Sequence, residues 1–226
     1  MSTLTLRLDG TDRAVQVDKL IMAGYTGRNR AAVQAHIDDL AAHGIPAPKR
    51  VPTLFACTPE LLTTADEITV LSDATSGEAE FVLFTDQGEL LIGVGSDHTD
   101  RQLEMTDIPR AKQLCSKTVS REVWRLADVA DHWDELILRS WIGDDGPEVL
   151  YQEGRLAAMM TPADILQYVR DSLREPLGRA AVYSGTLPVL DGHFRPSPTF
   201  TVHLEDPRRG RTLRCAYRVR TLNYIK

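Results

Sequence analysis

Alternation of hydrophobic and polar residues runs through most of the chain and predicts a fold made mainly of β-strands. Leucine occupies every second position over residues 4–8, Asp9-Gly10 interrupts the pattern, and a second alternating run follows at residues 14–17. This arrangement is typical of a β-hairpin. The same period of two returns over residues 200–204 and again over residues 213–219, so we expect antiparallel strand pairs at both ends of the chain.

Between these ends the pattern predicts short strands and a few helices. Residues 29–43 predict a helix that ends at Gly44, and residues 107–115 predict a shorter one. Thr161 and Pro162, with an acid at position 164, form the start signal of a further helix. Further strands are predicted at residues 68–71, 79–84, 90–95, 119–126 and 137–142.

No repeat or long linker divides the chain. We therefore expect one α+β domain over residues 1–226, mainly β with a few helices. Residues 1–66 hold the first hairpin and the first long helix, and residues 67–226 hold most of the strands.

Composition and charge limit the class of protein but do not indicate which reaction or ligand it has. With 42% hydrophobic residues and a formal charge of −6 over 226 residues, the chain is typical of a folded globular protein. The acidic balance argues against binding to nucleic acid, which favours a basic surface. No apolar stretch reaches the roughly 20 residues of a membrane span. Three scattered cysteines and the lack of an apolar leader predict a cytoplasmic protein.

The most informative segment is an acidic strand whose register can be worked out. Glu78 and Glu80 share one strand face because side chains alternate with a period of two. If Gln87-Gly88 is a two-residue hairpin turn, Asp97 lies opposite Glu78. Directly opposed residues project to the same face with Cβ atoms about 5 Å apart, so the three acids are expected to form a cluster.

Such a cluster of hard oxygen donors suits Mg²⁺, Mn²⁺ or Ca²⁺. The alternative is a solvated edge hairpin whose acids face water. His98 and Asp100 could join the cluster or lie in a polar loop, and Arg101 could pair with one of the acids.

These motifs resemble the fumarylacetoacetate hydrolase family. Members carry E-x-E on one strand and a later D-x-(S/T)-x-R segment, which match Glu78-Ala79-Glu80 and the stretch from Asp97 to Arg101. In that family the two glutamates and the aspartate bind a divalent ion, usually Mg²⁺. Weaker matches keep the family order between about residues 24 and 220; they lie at residues 27–29, 52–55, 112, 151–154, 159–160 and 184–188.

The resemblance implies a fold and a reaction. The fold would be a mixed β-roll or barrel, with a lid helix in residues 1–66 and the catalytic core in residues 67–226. The reaction would be metal-dependent hydrolysis of a C–C bond in an acylpyruvate-like 2,4-dioxo acid, or in a related 3-deoxy-2-oxo acid, through a metal-bound enolate. The cofactor would be Mg²⁺, or Mn²⁺ or Ca²⁺, and relatives commonly form homodimers.

The same resemblance implies roles for individual residues. Hydrolytic members use a His–Glu dyad on the lid helix, which His36 and Asp39 would replace here as general base and orienting acid. From its helical pattern alone, His36 could equally be a core or interface histidine.

Lys112 would stabilise the enolate, with Lys117 as the alternative lysine. Gln152 and Thr186 would hold the carboxylate and a carbonyl of the substrate, and Arg101 would also bind the substrate.

The chain also departs from the family pattern at Arg30, Cys57 and Cys115, which indicates a divergent bacterial branch. Decarboxylation, dehydration, hydration and tautomerisation of oxo acids on the same scaffold therefore stay open, as does a catalytically silent binding protein.

Overall fold

The fold is mainly β, as predicted, with α-helices between the strands. The computed structural model describes residues 1–42, 47–144 and 148–225, and at residues 36 and 39–42 it describes the backbone only. The strands are β1 (Ser2–Leu8), β2 (Thr11–Val17), β3 (Lys19–Gly24), β4 (Thr53–Cys57), β5 (Leu62–Thr63), β6 (Glu67–Val70), β7 (Thr75–Ser76), β8 (Ala79–Asp86), β9 (Glu89–Asp97), β10 (Thr99–Asp100), β11 (Lys117–Val119), β12 (Glu122–Arg125), β13 (Ile137–Gly143), β14 (Val149–Arg155), β15 (Ala180–Tyr183), β16 (Thr199–Asp206) and β17 (Arg211–Thr221). The α-helices are α1 (Arg30–Ala42), α2 (Arg101–Glu104), α3 (Ile108–Leu114) and α4 (Pro162–Ser172). Within the described ranges, no helix is long and apolar enough to cross a membrane.

The larger sheet curls into a half-barrel. Its strands run in the order β2-β1-β12-β9-β8-β15-β3-β4, with β11 and β5 attached beside β9. Leu6 of β1 nevertheless belongs to the same buried cluster as Leu20 and Met22 of β3. Five strand spacings would separate these two strands by about 24 Å in a flat sheet. The sheet must therefore wrap around this cluster, which we call the concave core.

The smaller sheet packs on the other side of the half-barrel. Its order is β14-β13-β16-β17-β6, and its inward side chains form a second cluster with α4 and one face of β8, which we call the inter-sheet core. Alternation along β8 sends Phe81 and Leu83 into the inter-sheet core and Val82 and Phe84 into the concave core. Strand β8 is thus buried on both faces.

The β8–β9 hairpin has the register expected from the sequence. Ala79 pairs with Ser96, and the pairing continues to the turn at Gln87 and Gly88. These two turn residues have φ angles of 49° and 83°, as a two-residue type I′ turn requires. The predicted register is therefore confirmed.

One predicted strand, residues 119–126, is wrong as a single element. Val119 pairs with Gly95 while Trp124 pairs with Ile92, so two extra residues interrupt the pairing with β9. The Ser120 hydroxyl accepts from the Val94 N–H at 3.2 Å and donates to the Glu122 carbonyl at 2.7 Å. The interruption yields β11 and β12 in place of one strand, because this hydroxyl replaces the missing ladder partners.

The predicted helices correspond to elements of the structure. Helix α1 covers the described part of the first prediction, and its predicted end at Gly44 lies outside the described residues. Helix α4 begins at Pro162, and the Thr161 hydroxyl accepts from the Asp164 N–H at 3.2 Å. The start signal read from the sequence is therefore a real N-cap.

Candidate functional site

Three carboxylates meet at the open end of the β8–β9 hairpin. Glu80 lies two residues before Val82, so its side chain points to the same face of β8 as the apolar residues of the concave core. Glu78 lies two residues earlier and shares this face. Asp97 ends β9 directly opposite, and its N–H donates to the Glu78 carbonyl at 3.1 Å. Oxygen atoms of the three carboxylates lie within 4.8 Å of one another, and all three residues are buried. The structure thus brings together the acids that the register predicted, a set we call the acidic triad.

Two lysines hold the Asp97 carboxylate. Lys112 Nζ lies 2.5 Å from Asp97 Oδ2 and 3.4 Å from Glu78 Oε2, while Lys117 Nζ lies 2.8 Å from Asp97 Oδ1. Burial opposes ionisation of Asp97, but the two ammonium groups outweigh it and lower its pKa. Burial likewise opposes the charge on Lys112, yet Asp97 and Glu78 raise the pKa of that ammonium. Lys112 and Lys117, the two candidate active-site lysines, therefore both contact the triad.

The two lysines differ in exposure. Lys117 is fully buried and also donates to the His98 carbonyl at 2.6 Å, whereas the Lys112 side chain keeps 9% of its exposure. Lys112 is therefore the lysine that a small molecule could reach.

Arg101 links the acidic triad to helix α2. Its Nη1 lies 3.2 Å from Glu78 Oε1 and 2.6 Å from Glu104 Oε2, and its Nε donates to Ser76 Oγ at 2.7 Å. The Phe194 ring covers the guanidinium, with Cζ 3.8 Å from the ring centroid. The buried Nη2 has no hydrogen-bond partner among the described residues. This N–H group can donate to an incoming anion.

Glu80 is the member of the triad without a cationic contact in the described part of the chain. Its Oε2 accepts from the Gly185 N–H at 2.8 Å. Burial, together with the charges of Asp97 and Glu78, raises the pKa of Glu80 well above its ordinary value. A buried carboxylate in this position needs either a proton or a further cation. The three converging oxygen donors therefore fit a divalent ion that prefers oxygen ligands.

Gln152 and Thr186 brace the strand that carries the two glutamates. Gln152 Oε1 accepts from the Ala79 N–H at 3.0 Å, and Gln152 Nε2 donates to Thr186 Oγ1 at 2.8 Å. Thr186 Oγ1 in turn donates to the Ala79 carbonyl at 2.9 Å. Both residues thus lie beside the triad and fix the backbone of Ala79, which lies between Glu78 and Glu80. A role in binding substrate stays a prediction.

The other predicted catalytic pair lies on α1. The side chains of His36 and Asp39 are outside the described residues, so their expected dyad stays a prediction. A cleft of about 730 Å³ opens between β4, α3 and α4, and its wall includes Phe55 and Glu104.

The sequence is compatible with several roles for His98, and the structure shows which contacts its ring makes. His98 follows Asp97, so alternation turns its ring away from the triad and toward β17. There Nδ1 lies 2.9 Å from Tyr217 Oη, which donates to Ser96 Oγ at 2.9 Å, and Ser96 Oγ also accepts from the Glu78 N–H at 3.1 Å. At Tyr217 the sequence predicts only an alternating strand. The contact between Tyr217 and His98 joins segments that are distant along the chain, so no local pattern indicates it.

The family comparison covers most of the chain. Residues 23–217 match the family model described as "Protein of unknown function (DUF2848)". The chain belongs to this family. Comparison with the curated proteins gives no sequence match.

Solved structures share the fold at low sequence identity. A fumarylpyruvate hydrolase from Pseudomonas aeruginosa, in complex with Mn²⁺ and pyruvate, is 15% identical with a TM-score of 0.65, over 98% of this chain and 97% of that one. A 2-keto-3-deoxyarabinonate dehydratase is 17% identical with a TM-score of 0.64, over 94% of this chain and 78% of that one. Cg1458, solved with an inhibitor, is 18% identical with a TM-score of 0.68, over 93% and 81%. The resemblance to the fumarylacetoacetate hydrolase family is confirmed at the level of the fold.

Proposed function

We propose that this protein is a divalent-metal-dependent enzyme that cleaves a C–C bond in acylpyruvate-like 2,4-dioxo acids. The observation that carries the proposal is the buried acidic triad with Lys112 at its rim. With all groups ionised, the triad and its two lysines carry one net negative charge. A bound divalent ion would leave one positive charge, which the carboxylate of an oxo acid balances.

The compared enzymes support this substrate class. The P. aeruginosa protein is a fumarylpyruvate hydrolase solved with Mn²⁺ and pyruvate, and the dehydratase acts on a 2-keto-3-deoxy sugar acid. Both names describe chemistry on 2-oxo acids. Hydrolysis is our first proposal, and dehydration or another reaction of a 2-oxo acid is the second.

The residues of this chain have separable tasks in the proposed reaction. Glu78, Glu80 and Asp97 would hold the ion, which supplies Lewis acidity for a carbonyl when it is bound. Lys112 holds its proton firmly, so it would act as a fixed positive charge beside developing enolate charge. The free Nη2 of Arg101 would bind the substrate carboxylate.

Other residues would complete the site. Gln152 and Thr186 would orient the substrate by fixing the strand that carries Glu78 and Glu80. His36, oriented by Asp39, would take the proton from the attacking water. The ion would be Mg²⁺ or Mn²⁺, with Ca²⁺ a further candidate, and the active unit would be a homodimer.

Loss of one carboxylate tests the metal site. We expect saturating Mn²⁺ to raise the melting temperature, because an ion at 100 times its Kd contributes about 2.7 kcal/mol to stability. That contribution corresponds to roughly 5–10 °C for a chain of this size. Glu80→Ala should abolish the rise in differential scanning fluorimetry.

The matched control is Asp86→Ala, at the other end of the same hairpin. Asp86 is also a buried carboxylate, but its partner is Arg13 at 2.7 Å. This variant should melt earlier and keep the full Mn²⁺-dependent rise. An unchanged rise in Glu80→Ala would remove the metal site from the proposal.

Turnover tests the reaction. We expect Mn²⁺-dependent loss of the ultraviolet enolate absorbance of an acylpyruvate, with pyruvate as a product. His36→Ala should lower kcat at least tenfold, the low end for loss of a general base. Full activity in this variant would exclude His36, and loss of water without C–C cleavage would favour the dehydratase alternative. A protein that neither binds Mn²⁺ nor turns over any oxo acid would support a silent binding protein.

A further inference from the structure

The cleft beside the acidic triad has the size and lining of a binding site for an apolar group. Its volume of about 730 Å³ lies within the range of roughly 300–1,000 Å³ that is typical of small-molecule sites. Most of the side chains that line it are hydrophobic or aromatic. The principal ones are Tyr25, Leu54, Phe55, Ile108, Pro109 and Tyr168.

Two residues that line this cleft contact the proposed catalytic groups. The Phe55 ring centroid lies 5.8 Å from Lys112 Nζ. Glu104, which also lines the cleft, pairs with Arg101, and Arg101 contacts Glu78. An acid whose head group lies against Lys112 and Arg101 would therefore extend its other end along Phe55 into the cleft.

The charged residues that line the described part of the cleft offer no free partner to a charged tail. Glu104 and Asp107 also line the cleft, but each already pairs with an arginine, Glu104 with Arg101 at 2.6 Å and Asp107 with Arg110 at 3.4 Å. Lys49 and Arg50 also line it, but both are exposed and their charges are solvated. An uncharged tail is stabilised by burial against the apolar lining, whereas a charged tail would also lose the hydration of its charge.

We propose that this cleft binds the acyl tail of the substrate, and that the preferred substrates are 2,4-dioxo acids with an uncharged medium-chain alkyl or aryl tail. This inference rests on the proposed function, since it names the tail of the substrate that the triad would act on. Acetylpyruvate, whose acyl tail is a single methyl group, would leave most of the cleft unfilled. Each further methylene placed in the cleft should therefore add to the affinity for the transition state.

The test compares four acids at saturating Mn²⁺: acetylpyruvate, hexanoylpyruvate, benzoylpyruvate and succinylpyruvate. We expect kcat/KM for hexanoylpyruvate and benzoylpyruvate to exceed that for acetylpyruvate at least tenfold. Succinylpyruvate, which ends in a carboxylate, should show no such gain. A rate that does not rise with the tail, or one that is highest for succinylpyruvate, would overturn the inference and leave the metal-dependent reaction standing.

A matched pair of variants assigns the preference to the cleft. Phe55 and Leu61 are both partly buried against the concave core, but only Phe55 lines the cleft. Phe55→Ala should lower the ratio of hexanoylpyruvate to acetylpyruvate kcat/KM at least fivefold. Leu61→Ala should leave that ratio within twofold, and equal ratios in the two variants would contradict the assignment.

Failure of the proposed reaction has a different signature. If none of the four acids is turned over, the same acids are titrated into the Mn²⁺-loaded protein by calorimetry. Tighter binding of hexanoylpyruvate than of acetylpyruvate by at least tenfold, lost in Phe55→Ala and kept in Leu61→Ala, would support the cleft without the reaction. Equal affinities, or no binding of any acid, would overturn it.

Discussion

His98 shows how a residue next to a metal-ligand candidate can serve the site without facing it. Burial, with Lys117 and Arg101 nearby, lowers the pKa of His98 to about 3, so the ring is neutral near pH 7. A neutral imidazole with its proton on Nδ1 donates to Tyr217 and accepts at Nε2 from Thr75 Oγ1 at 2.9 Å. The ring thereby ties the end of β9 to β17 and to the strand before Glu78.

Removing the Tyr217 hydroxyl should loosen the acidic triad while the aromatic packing remains. Tyr217→Phe leaves the His98 Nδ1–H and Ser96 without their common partner. We expect a roughly tenfold weaker Mn²⁺ affinity, at the low end of the effect of groups that orient metal ligands. Isothermal titration calorimetry measures the affinity, and hydrogen exchange at the Glu78 amide should also become faster.

A general loss of stability must be separated from this effect. Val202→Ala removes buried volume from the same sheet without touching the hydrogen-bond chain. It should lower the melting temperature and leave the Mn²⁺ affinity unchanged. Ser96→Ala should weaken Mn²⁺ binding non-additively with Tyr217→Phe, because both act through one chain. Additive losses would show that the chain does not act as a unit.

At the scale of elements, the sequence is most informative where a single hairpin determines which residues lie opposite each other. The β8–β9 register follows from the turn and a period of two, which is why Glu78, Glu80 and Asp97 were predicted to converge. The interruption at Ser120 could not be predicted in this way, because it depends on hydrogen bonds to Val94 across the sheet. The partners of His98 and the double contact of Asp97 with two lysines also join segments that are distant in sequence.

The turn between β16 and β17 is fastened by one buried carboxylate. Asp206 accepts from His132 Nε2 at 2.9 Å, from Arg211 Nε at 3.0 Å and from the Arg209 N–H at 3.1 Å. Burial opposes its ionisation, but these donors outweigh burial and lower its pKa. Its charge therefore stabilises the fold at neutral pH.

The variant Asp206→Asn should lower the free energy of unfolding at pH 7 by about 2–4 kcal/mol, since it leaves buried donors poorly paired. A lowered pKa in the folded state gives stability that is present above the unfolded value near 4 and is lost as the pH falls through the folded value. The difference between the two proteins should therefore shrink below about pH 4. Urea unfolding at pH 7 and pH 3 measures it, and a constant difference would contradict this origin.

At the scale of the whole molecule, the two cores share strand β8. Phe84 belongs to the concave core, while Phe81 packs edge-on against Trp133 in the inter-sheet core, with ring centroids 5.0 Å apart. Trp124 also belongs to the inter-sheet core, and Trp141 packs on His203 on the smaller sheet. Tryptophan fluorescence therefore reports on the side of β8 opposite Phe84.

Because one strand serves both cores, damage to either should destabilise both together. Phe84→Ala should cost about 3–5 kcal/mol, as expected for a buried phenylalanine. The tryptophan transition and the calorimetric transition should move to lower temperature by the same amount. A tryptophan transition that stayed in place, or a second calorimetric peak, would show that the cores unfold independently.

The hairpin turn at Gln87-Gly88 has a consequence for how this chain can change over evolution. The turn lies about 27 Å along β8 from Glu78, yet its length decides which residue of β9 stands opposite that glutamate. With a two-residue loop retained, an insertion of one residue there would place Ser96 opposite Glu78, and a deletion would place His98 there. Loop tips usually tolerate such length changes. In this protein a surface turn remote from the chemistry should be as intolerant of them as the carboxylates themselves.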